Sequence, residues 1–173
     1  MQSRLQTNKD HRTLIDAFNI LCHAYPHRNM TLHIAGDGET LDSLRDYADS
    51  LGLSEKVFFH GLLGQSDLRA FLNSLSIYVH CTHGETMSNA IMQALSMGLP
   101  VIASDVWGVS NMIKDGNGLL YHPRDAADLA DKINQVLLDK QLATSLSLQS
   151  RQHAIDHYSN VSLVNKYNEL FNR

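Results

Sequence analysis

The fold is decided by the stretch SIYVHCTHGETMSNAIMQALSMGLPVIAS, which runs from Ser76 to Ser104. Both ends of this stretch are short apolar runs rich in β-branched residues, a composition typical of strands buried on both faces. Between them, Ser88 or Asn89 can cap the N-terminus of a helix. Gly98 and Pro100 then end that helix. The order of strand, loop, helix and strand predicts a βαβ unit with two parallel strands.

Glu85 stands out because its surroundings carry almost no charge. From Ala70 to Ile113 the chain has no Lys or Arg, and its only acidic residues are Glu85 and Asp105. A segment so poor in charge indicates the interior of a sheet. Glu85 lies where the first strand of the unit ends and the helix is about to begin, and open α/β sheets bind ligands at that place. Glu85 is therefore a candidate binding residue, with a solvated loop carboxylate as the alternative.

Composition narrows the class of protein. With 173 residues, of which 43% are hydrophobic, the chain can form one domain with a proper core. The formal charge of −4 argues against a surface for nucleic acid or anionic membrane. No apolar run approaches the ~20 residues of a membrane span, and no signal segment opens the chain.

Cys22 and Cys81 lie in apolar contexts and are interpreted as reduced core residues of a cytosolic protein. The ten histidines show no metal-type spacing, so we expect no metal site.

Outside the central unit, helices alternate with strands and there is no repeat or linker. The pattern predicts a first helix from Asp10 to Tyr25 and two closing helices, from Lys140 to His157 and from Asn160 to Phe171. Ser66 is expected to cap the third helix, and a short turn of helix is expected near Met112. The whole pattern predicts an α/β fold with a doubly wound parallel sheet of about five or six strands.

Common nucleotide-binding motifs are incomplete in this sequence. Gly36-Asp37-Gly38 invites a dinucleotide-fold interpretation, but it does not complete Gly-x-Gly-x-x-Gly, and a tight turn explains it equally well. The sequence contains no Gly-x-x-x-x-Gly-Lys-Ser/Thr motif, which argues against a nucleoside triphosphatase. It also lacks Asp-x-Asp, the usual means of holding a divalent ion on a nucleotide diphosphate.

Seven short motifs nevertheless occur in a specific order. They are Arg4-Leu5 followed by Lys9, Ala35-Gly-Asp-Gly-Glu39, Phe59-His-Gly61, Glu85 with Gln93 eight residues on, Gly98-Leu-Pro-Val101, Asp115-Gly-x-Gly-Leu-Leu120 and Pro123-x-Asp125. Their order and spacing resemble the carboxy-terminal half of the retaining glycosyltransferases known as glycosyl transferases group 1, which have the GT-B fold. The resemblance covers essentially the whole chain and implies a Rossmann-like domain, one half of a GT-B enzyme.

The resemblance implies a role for each matching residue. Arg4 and Lys9 would contact the diphosphate of a nucleotide-sugar donor, which needs fixed cations where no metal is present; without the resemblance they would be read as surface bases. Glu85 would contact hydroxyls of the donor sugar, and Arg4, Lys9 and Glu85 form the implied catalytic set. The remaining donor-binding positions are Gly36, Asp37, Gly38, Gly61, Thr86, Met87, Ser88, Asn89 and Gln93. Of these, residues 86–89 would bring backbone N–H groups at a helix N-terminus toward the diphosphate.

Three residues depart from the family pattern. Gln93 stands where the family has a glutamate that binds the ribose hydroxyls, so this contact becomes neutral. Trp107-Gly108 replaces Gly-Gly after the following strand, and Asn111 replaces a glutamate that is frequent there. Trp107 is expected either to form a wall of the donor pocket or to cover the core.

The sequence thus predicts a nucleotide-sugar donor-binding domain over residues 1–173, with the amino-terminal acceptor domain absent. The full-length hexosyltransferase would move a sugar from a nucleotide diphosphate sugar to a saccharide or lipid-linked acceptor in cell-surface polysaccharide or lipopolysaccharide synthesis. It would be cytoplasmic, with peripheral association at the inner face of the membrane, and would need no essential metal and no nucleic acid. The isolated chain is expected to be inactive, and its closing helices to expose apolar side chains. The alternatives are a nucleotide-sugar 2-epimerase, a phosphorylase, or a non-catalytic flavodoxin-like binding module.

Overall fold

The computed structural model describes residues 1–171, in which helices and strands alternate. The strands are β1 (Leu32–Ile34), β2 (Val57–Phe59), β3 (Tyr78–His80), β4 (Val101–Ser104) and β5 (Gly118–Tyr121). The helices are α1 (His11–Ala24), α2 (Leu41–Ser50), α3 (Gln65–Asn73), α4 (Asn89–Ser96), α5 (Ala126–Leu138), α6 (Lys140–Tyr158) and α7 (Asn160–Phe171), and a 3₁₀ turn at Thr7–Lys9 precedes α1. The α/β class and the predicted closing helices are confirmed.

Every pairing between these strands is parallel, as the sequence predicts. The strands form two hydrogen-bonded sheets, β1-β2 and β3-β4-β5, where one continuous sheet was expected. Residues 1–3 lie between the two sheets: Ser3 N donates to Ala35 O at 3.0 Å beside β1. On the other side, the backbone of Gln2 contacts the hydroxyl of Tyr78 at 3.3 Å rather than the backbone of β3. The two sheets are therefore joined at this point through the side chain of Tyr78 and not through backbone hydrogen bonds.

The charge-poor stretch forms the centre of the core. All residues of β3 and β4 are buried. From α4, the side chains of Ile91, Ala94 and Leu95 are fully buried against the sheet. Burial of side chains as large as Ile91 or Leu95 stabilises the fold by about 1.5–3 kcal/mol each. The β3-α4-β4 unit is therefore a rigid base for the loop that carries Glu85.

The N-cap of α4 agrees with the sequence prediction, and that of α3 differs from it. Ser88 caps α4 and accepts the N–H of Ile91, and Asp125 caps α5. The prediction that Ser66 caps α3 is wrong, because α3 begins at Gln65 and its N-cap residue is Gly64. Ser66 therefore lies inside the first turn of α3.

The predicted short turn of helix near Met112 is present: Met112 N donates to Val109 O at 2.8 Å and Ile113 N to the same oxygen at 3.1 Å. Residues 107–112 form successive turns without a regular helix. Gly108 adopts a φ of +90° within this segment, a left-handed conformation that interrupts helical geometry. The segment therefore remains a compact loop after β4.

Two further predictions about the surface and the core are confirmed. Cys22 and Cys81 are both free and buried. On α7, apolar side chains are exposed, namely Val161, Val164, Tyr167, Leu170 and Phe171. No helix within residues 1–171 is long and apolar enough to cross a membrane.

Candidate active site

A cleft of about 510 Å³ opens at the carboxyl ends of β1 and β3, beside the N-terminus of α4. This is the edge at which parallel α/β sheets bind ligands. Its walls contain the predicted site residues Arg4, Lys9, Gly36, Glu85, Met87, Ser88, Asn89 and Gln93. The fold thus brings together residues that are far apart in the sequence.

The carboxylate of Glu85 is held by two donors. Lys9 Nζ lies 3.0 Å from Glu85 Oε2, and His80 Nε2 lies 2.8 Å from the same oxygen. Burial alone would raise the pKa of Glu85, but the hydrogen bonds from His80 and Lys9 outweigh it and lower the pKa to about 2. Glu85 is therefore a fixed anion at neutral pH, suited to accept hydrogen bonds from hydroxyl groups.

His80 contributes to this arrangement as a neutral group. Its side chain is only 1% exposed at the end of β3. Burial lowers its pKa, and this effect exceeds the opposing influence of Glu85. A neutral imidazole donates from one ring nitrogen only, and Glu85 can only accept, so the proton lies on Nε2. The contact is thus a hydrogen bond from a neutral ring to a carboxylate.

The segment that carries Arg4 is seated on two glycines. A Cβ atom on Gly36 would lie 1.8 Å from Ser3 O, and one on Gly38 would lie 2.3 Å from Leu5 O. Leu5 N in turn donates to Asp37 O at 2.9 Å. The Gly-x-Gly sequence therefore allows residues 3–5 to pack directly on the turn after β1, which places Arg4 at the cleft.

The first turn of α4 faces the cleft with unpaired backbone donors. Within residues 1–171, the N–H of Ile91 bonds to Ser88 Oγ and that of Met92 to Ser88 O, and no bond is formed by the N–H groups of Asn89 and Ala90. A helix N-terminus of this kind is a favourable position for an anion. Gln93 lies one helical turn further along, on the same wall of the cleft.

Four predicted site residues do not line the cleft. Thr86 is exposed on the loop, and Gly38 acts through its packing on Leu5. Asp37 Oδ1 accepts the N–H of Gly38 at 2.8 Å, and Gly61 O accepts the N–H of Gly36 at 2.8 Å. Asp37, Gly38 and Gly61 thus shape the turn that supports the cleft, and contact of any of the four residues with a donor remains a prediction.

The cleft also contains residues that the sequence analysis did not identify. They are Gln2, Ser3, Ala35, Leu62, Leu63, Leu68, His80 and Ala90. The signal for His80 was a single polar residue in an apolar strand, five positions before Glu85. Leu62, whose surface is 80% exposed, gave no sequence signal beyond its neighbouring Gly61.

Trp107 fits neither of its two predicted roles. Its surface is 76% exposed, so it does not cover the core, and it does not line the cleft. The adjacent Gly108 packs closely on the loop after β3, because a Cβ atom there would lie 1.9 Å from Glu85 O. The Trp107-Gly108 turn therefore packs against the backbone of the loop that carries Glu85.

Among residues 1–171, no group of three or more His, Cys, Asp or Glu side chains is arranged to hold a metal ion. The cleft instead offers Arg4, Lys9 and a helix N-terminus as positive groups. Independence from metal stays a prediction.

Comparison with known sequences identifies relatives of the chain. Residues 1–153 match the family described as Glycosyl transferases group 1. The lipopolysaccharide core biosynthesis glycosyltransferase LpsE of Rhizobium meliloti (strain 1021) is 31% identical over 168 residues, which cover 96% of this chain and 47% of that protein. The chain thus spans about half the length of this relative.

Solved structures show the same fold. A TarM mutant of S. aureus superposes with a TM-score of 0.86 at 26% identity, over 99% of this chain and 34% of that chain. The C-terminal domain of the glycosyl transferase group 1 family protein LpcC from Francisella tularensis gives a TM-score of 0.81 at 22% identity, over 92% of this chain and 84% of that chain. The chain belongs to the glycosyl transferases group 1 family, and its fold is that of a Rossmann-like domain of GT-B glycosyltransferases.

Proposed function

We propose that this chain is the donor-binding domain of a retaining glycosyltransferase. The full-length enzyme would move a sugar from a nucleotide diphosphate sugar to a saccharide or lipid-linked acceptor. The observation that carries the proposal is the cleft lined by Glu85, the cations Arg4 and Lys9 and the N-terminus of α4, in which Lys9 Nζ lies 3.0 Å from Glu85 Oε2. Family membership favours this function over a flavodoxin-like binding module.

The positive groups suit a diphosphate leaving group. Breaking the bond between sugar and phosphate leaves growing negative charge on the nucleotide diphosphate. Arg4 and Lys9 would stabilise this charge, together with the backbone N–H groups of Asn89 and Ala90. Fixed cations supply this stabilisation without a divalent metal. The TarM structure, which is in complex with UDP, supports a nucleotide of this class.

Glu85 would orient the donor sugar by accepting hydrogen bonds from its hydroxyls. Contacts that fix the donor relative to the acceptor act on the transition state and raise the rate. With a pKa of about 2, Glu85 is poorly suited to remove a proton at neutral pH. In this family the leaving phosphate is thought to take the proton of the acceptor, and we propose the same here.

The acceptor and the cellular role follow from the resemblance and the relatives. The acceptor would bind on a second domain supplied by the full-length protein, in front of the cleft. LpsE, which acts in lipopolysaccharide core biosynthesis, supports a role in cell-surface polysaccharide or lipopolysaccharide synthesis. The enzyme would work in the cytoplasm, at the inner face of the membrane.

Calorimetry on the 173-residue chain tests the proposal. We expect one of UDP, GDP and ADP to bind, and a chelator to leave its affinity unchanged. Arg4→Ala should weaken that binding, whereas Lys140→Ala, which removes an exposed cation at the start of α6, should not. Absence of binding by all three nucleotides would overturn the proposal, and loss of binding in the chelator would overturn its metal-free form.

A further inference from the structure

His80 is a polar residue in a place that favours an apolar one. It is the last residue of β3, where all three side chains are buried, and its neighbours Val79 and Cys81 belong to the core. Its ring stacks on that of Tyr78 at a centroid distance of 6.3 Å. Burial of a polar ring costs stability unless its polar atoms are hydrogen-bonded. A residue that serves packing alone would therefore be Leu or Val.

Only one of the two ring nitrogens is satisfied. Nε2 donates to Glu85 Oε2 at 2.8 Å and lies 3.4 Å from Ser88 Oγ. Nδ1 is buried and has no hydrogen-bond partner within residues 1–171. An unsatisfied buried acceptor is destabilising. The ring is thus arranged for its contact with Glu85 at a cost to the core.

The contact links the loop that carries Glu85 to strand β3. Glu85 lies on the loop between β3 and α4, in which Thr82 Oγ1 donates to Gly84 O at 3.2 Å. His80 is the last residue of β3, the first strand of the β3-α4-β4 unit, and its Nε2 lies 3.4 Å from Oγ of Ser88, the N-cap of α4. The hydrogen bond from His80 therefore fixes the carboxylate relative to the strand and the helix N-terminus.

Both donors to Glu85 meet the same oxygen. Lys9 Nζ and His80 Nε2 contact Oε2, and the described residues form no hydrogen bond or ion pair with Oε1. A carboxylate has two oxygens that can each accept hydrogen bonds. With Oε2 held from two sides, Oε1 is the oxygen that remains for a ligand in the cleft.

We propose that His80 is a positioning residue, whose Nε2–H holds Oε2 of Glu85 so that Oε1 is presented to a hydroxyl of the donor sugar. The part of this inference that concerns the donor sugar rests on the proposed function. The part that concerns Glu85 is a property of the chain without ligand. The two parts can therefore be tested separately.

The first test follows the titration of the Glu85 carboxyl carbon by NMR in the ligand-free chain. His80→Leu keeps the bulk of the core but removes the donor, so we expect the pKa of Glu85 to rise by about one unit. His80→Gln offers an amide N–H at a similar reach and should restore a pKa close to that of the wild type. Lys9 is present in every variant, so it does not account for a difference between them.

A matched control separates positioning from packing. Val79→Ala removes buried methyl groups from the same strand, so it should lower stability but leave the pKa of Glu85 unchanged. The proposal is overturned if His80→Leu leaves the pKa of Glu85 as in the wild type. It is equally overturned if Val79→Ala raises that pKa as much as His80→Leu does.

The second test compares a nucleotide sugar with its nucleotide. With UDP-glucose and UDP as probes, His80→Leu should change the affinity for UDP less than about twofold, and should weaken UDP-glucose several-fold more. Equal changes for both probes would overturn the role toward the sugar. If the wild-type chain binds no nucleotide at all, the proposed function fails, and the titration of Glu85 still decides whether His80 positions it.

Discussion

The side chains of Lys9 and Glu85 meet at 3.0 Å although the residues are 76 positions apart in the chain. Their side chains are only 15% and 20% exposed, so the pair is partly shielded from water. Lys9 is the last residue of the 3₁₀ turn before α1, and Glu85 lies on the loop after β3. The pair therefore joins the group proposed to bind the diphosphate to the group proposed to bind the sugar.

Lys9→Ala should weaken binding of the nucleoside diphosphate by about tenfold or more. Hydrogen bonds to charged groups contribute roughly 1.5–3 kcal/mol, and each 1.4 kcal/mol is about a factor of ten in affinity. Calorimetry with the nucleotide that binds the wild-type chain measures the change. Lys140→Ala is the matched control, and an equal affinity in both variants would refute a diphosphate contact by Lys9.

Glu85→Gln should preserve folding but reduce turnover of the full-length enzyme by about tenfold or more, because an amide accepts weaker hydrogen bonds than a carboxylate. Gln retains an oxygen that can accept from His80, whereas Ala would leave the buried Nε2–H of His80 without a partner. Steady-state kinetics and urea denaturation provide the two readouts. Full activity in Glu85→Gln would show that turnover does not need the charge of Glu85.

The β3-α4-β4 unit could be predicted from the sequence because its signals are local. Buried strands read as apolar runs, and Ser88 and Gly98 mark the ends of the intervening helix within a few residues. The position of Glu85 at the carboxyl end of β3 follows from the same pattern. Local signals of this kind determine elements and their order.

The contacts that organise the site could not be predicted in this way. The sequence shows His80 within an apolar strand, but whether the ring faces the core or Glu85 depends on tertiary packing. Likewise, Gly36 and Gly38 read as a tight turn, and their close contact with Ser3 and Leu5 exists only once residues 1–3 pair beside β1. The resemblance supplied the residues of the site but not this mutual support.

Gly36→Ala should destabilise the fold by about 1–3 kcal/mol, because overpacking forces the backbone to shift. The new Cβ would lie 1.8 Å from Ser3 O, in a residue whose φ is +135°. Since Arg4 follows Ser3, affinity for the diphosphate should fall as well. Gly84→Ala is the control for stability, because its Cβ would meet no atom within 4 Å. Urea denaturation that finds the two variants equally stable would contradict this account.

His11 should make the fold sensitive to mild acid. It is buried beside Ser3 Oγ at 3.0 Å, and burial above all lowers its pKa from 6.5 to about 3. Between these values the unfolded chain binds a proton that the folded chain does not. His11 therefore does not reduce the free energy of unfolding above pH 6.5. As the pH falls from 6.5 toward 3, the free energy of unfolding decreases by up to about 1.4 kcal/mol per pH unit.

The change His11→Gln should reduce this pH dependence. The amide can still contact Ser3 but does not titrate, so the free energy of unfolding should fall less steeply below pH 6.5 than in the wild type. His27→Gln changes an exposed histidine and serves as the control for a His→Gln substitution. Urea denaturation at several pH values measures the slopes, and equal slopes for His11→Gln and the wild type would show that His11 titrates normally in the folded chain.

Gln93→Glu should tighten binding of a nucleoside diphosphate several-fold. Gln93 lies on the cleft wall formed by α4, one turn after Asn89, and the resemblance places its side chain at the ribose. A carboxylate accepts stronger hydrogen bonds from ribose hydroxyls than an amide does, by on the order of 1 kcal/mol. A dideoxyribose analogue lacks those hydroxyls and should gain nothing from the change.

The opposing effect is repulsion between the new carboxylate and the diphosphate. Gln93 is exposed, so water screens a charge placed there. The nearby positive groups, Arg4, Lys9 and the N-terminus of α4, also favour an anion on this wall of the cleft. We therefore expect the gain at the ribose to exceed the repulsion. Calorimetric titration of both variants with the nucleoside diphosphate and its dideoxyribose analogue measures the balance: weaker binding of both ligands by Gln93→Glu would show that repulsion dominates, and unchanged affinity for both would show that residue 93 does not reach the ribose.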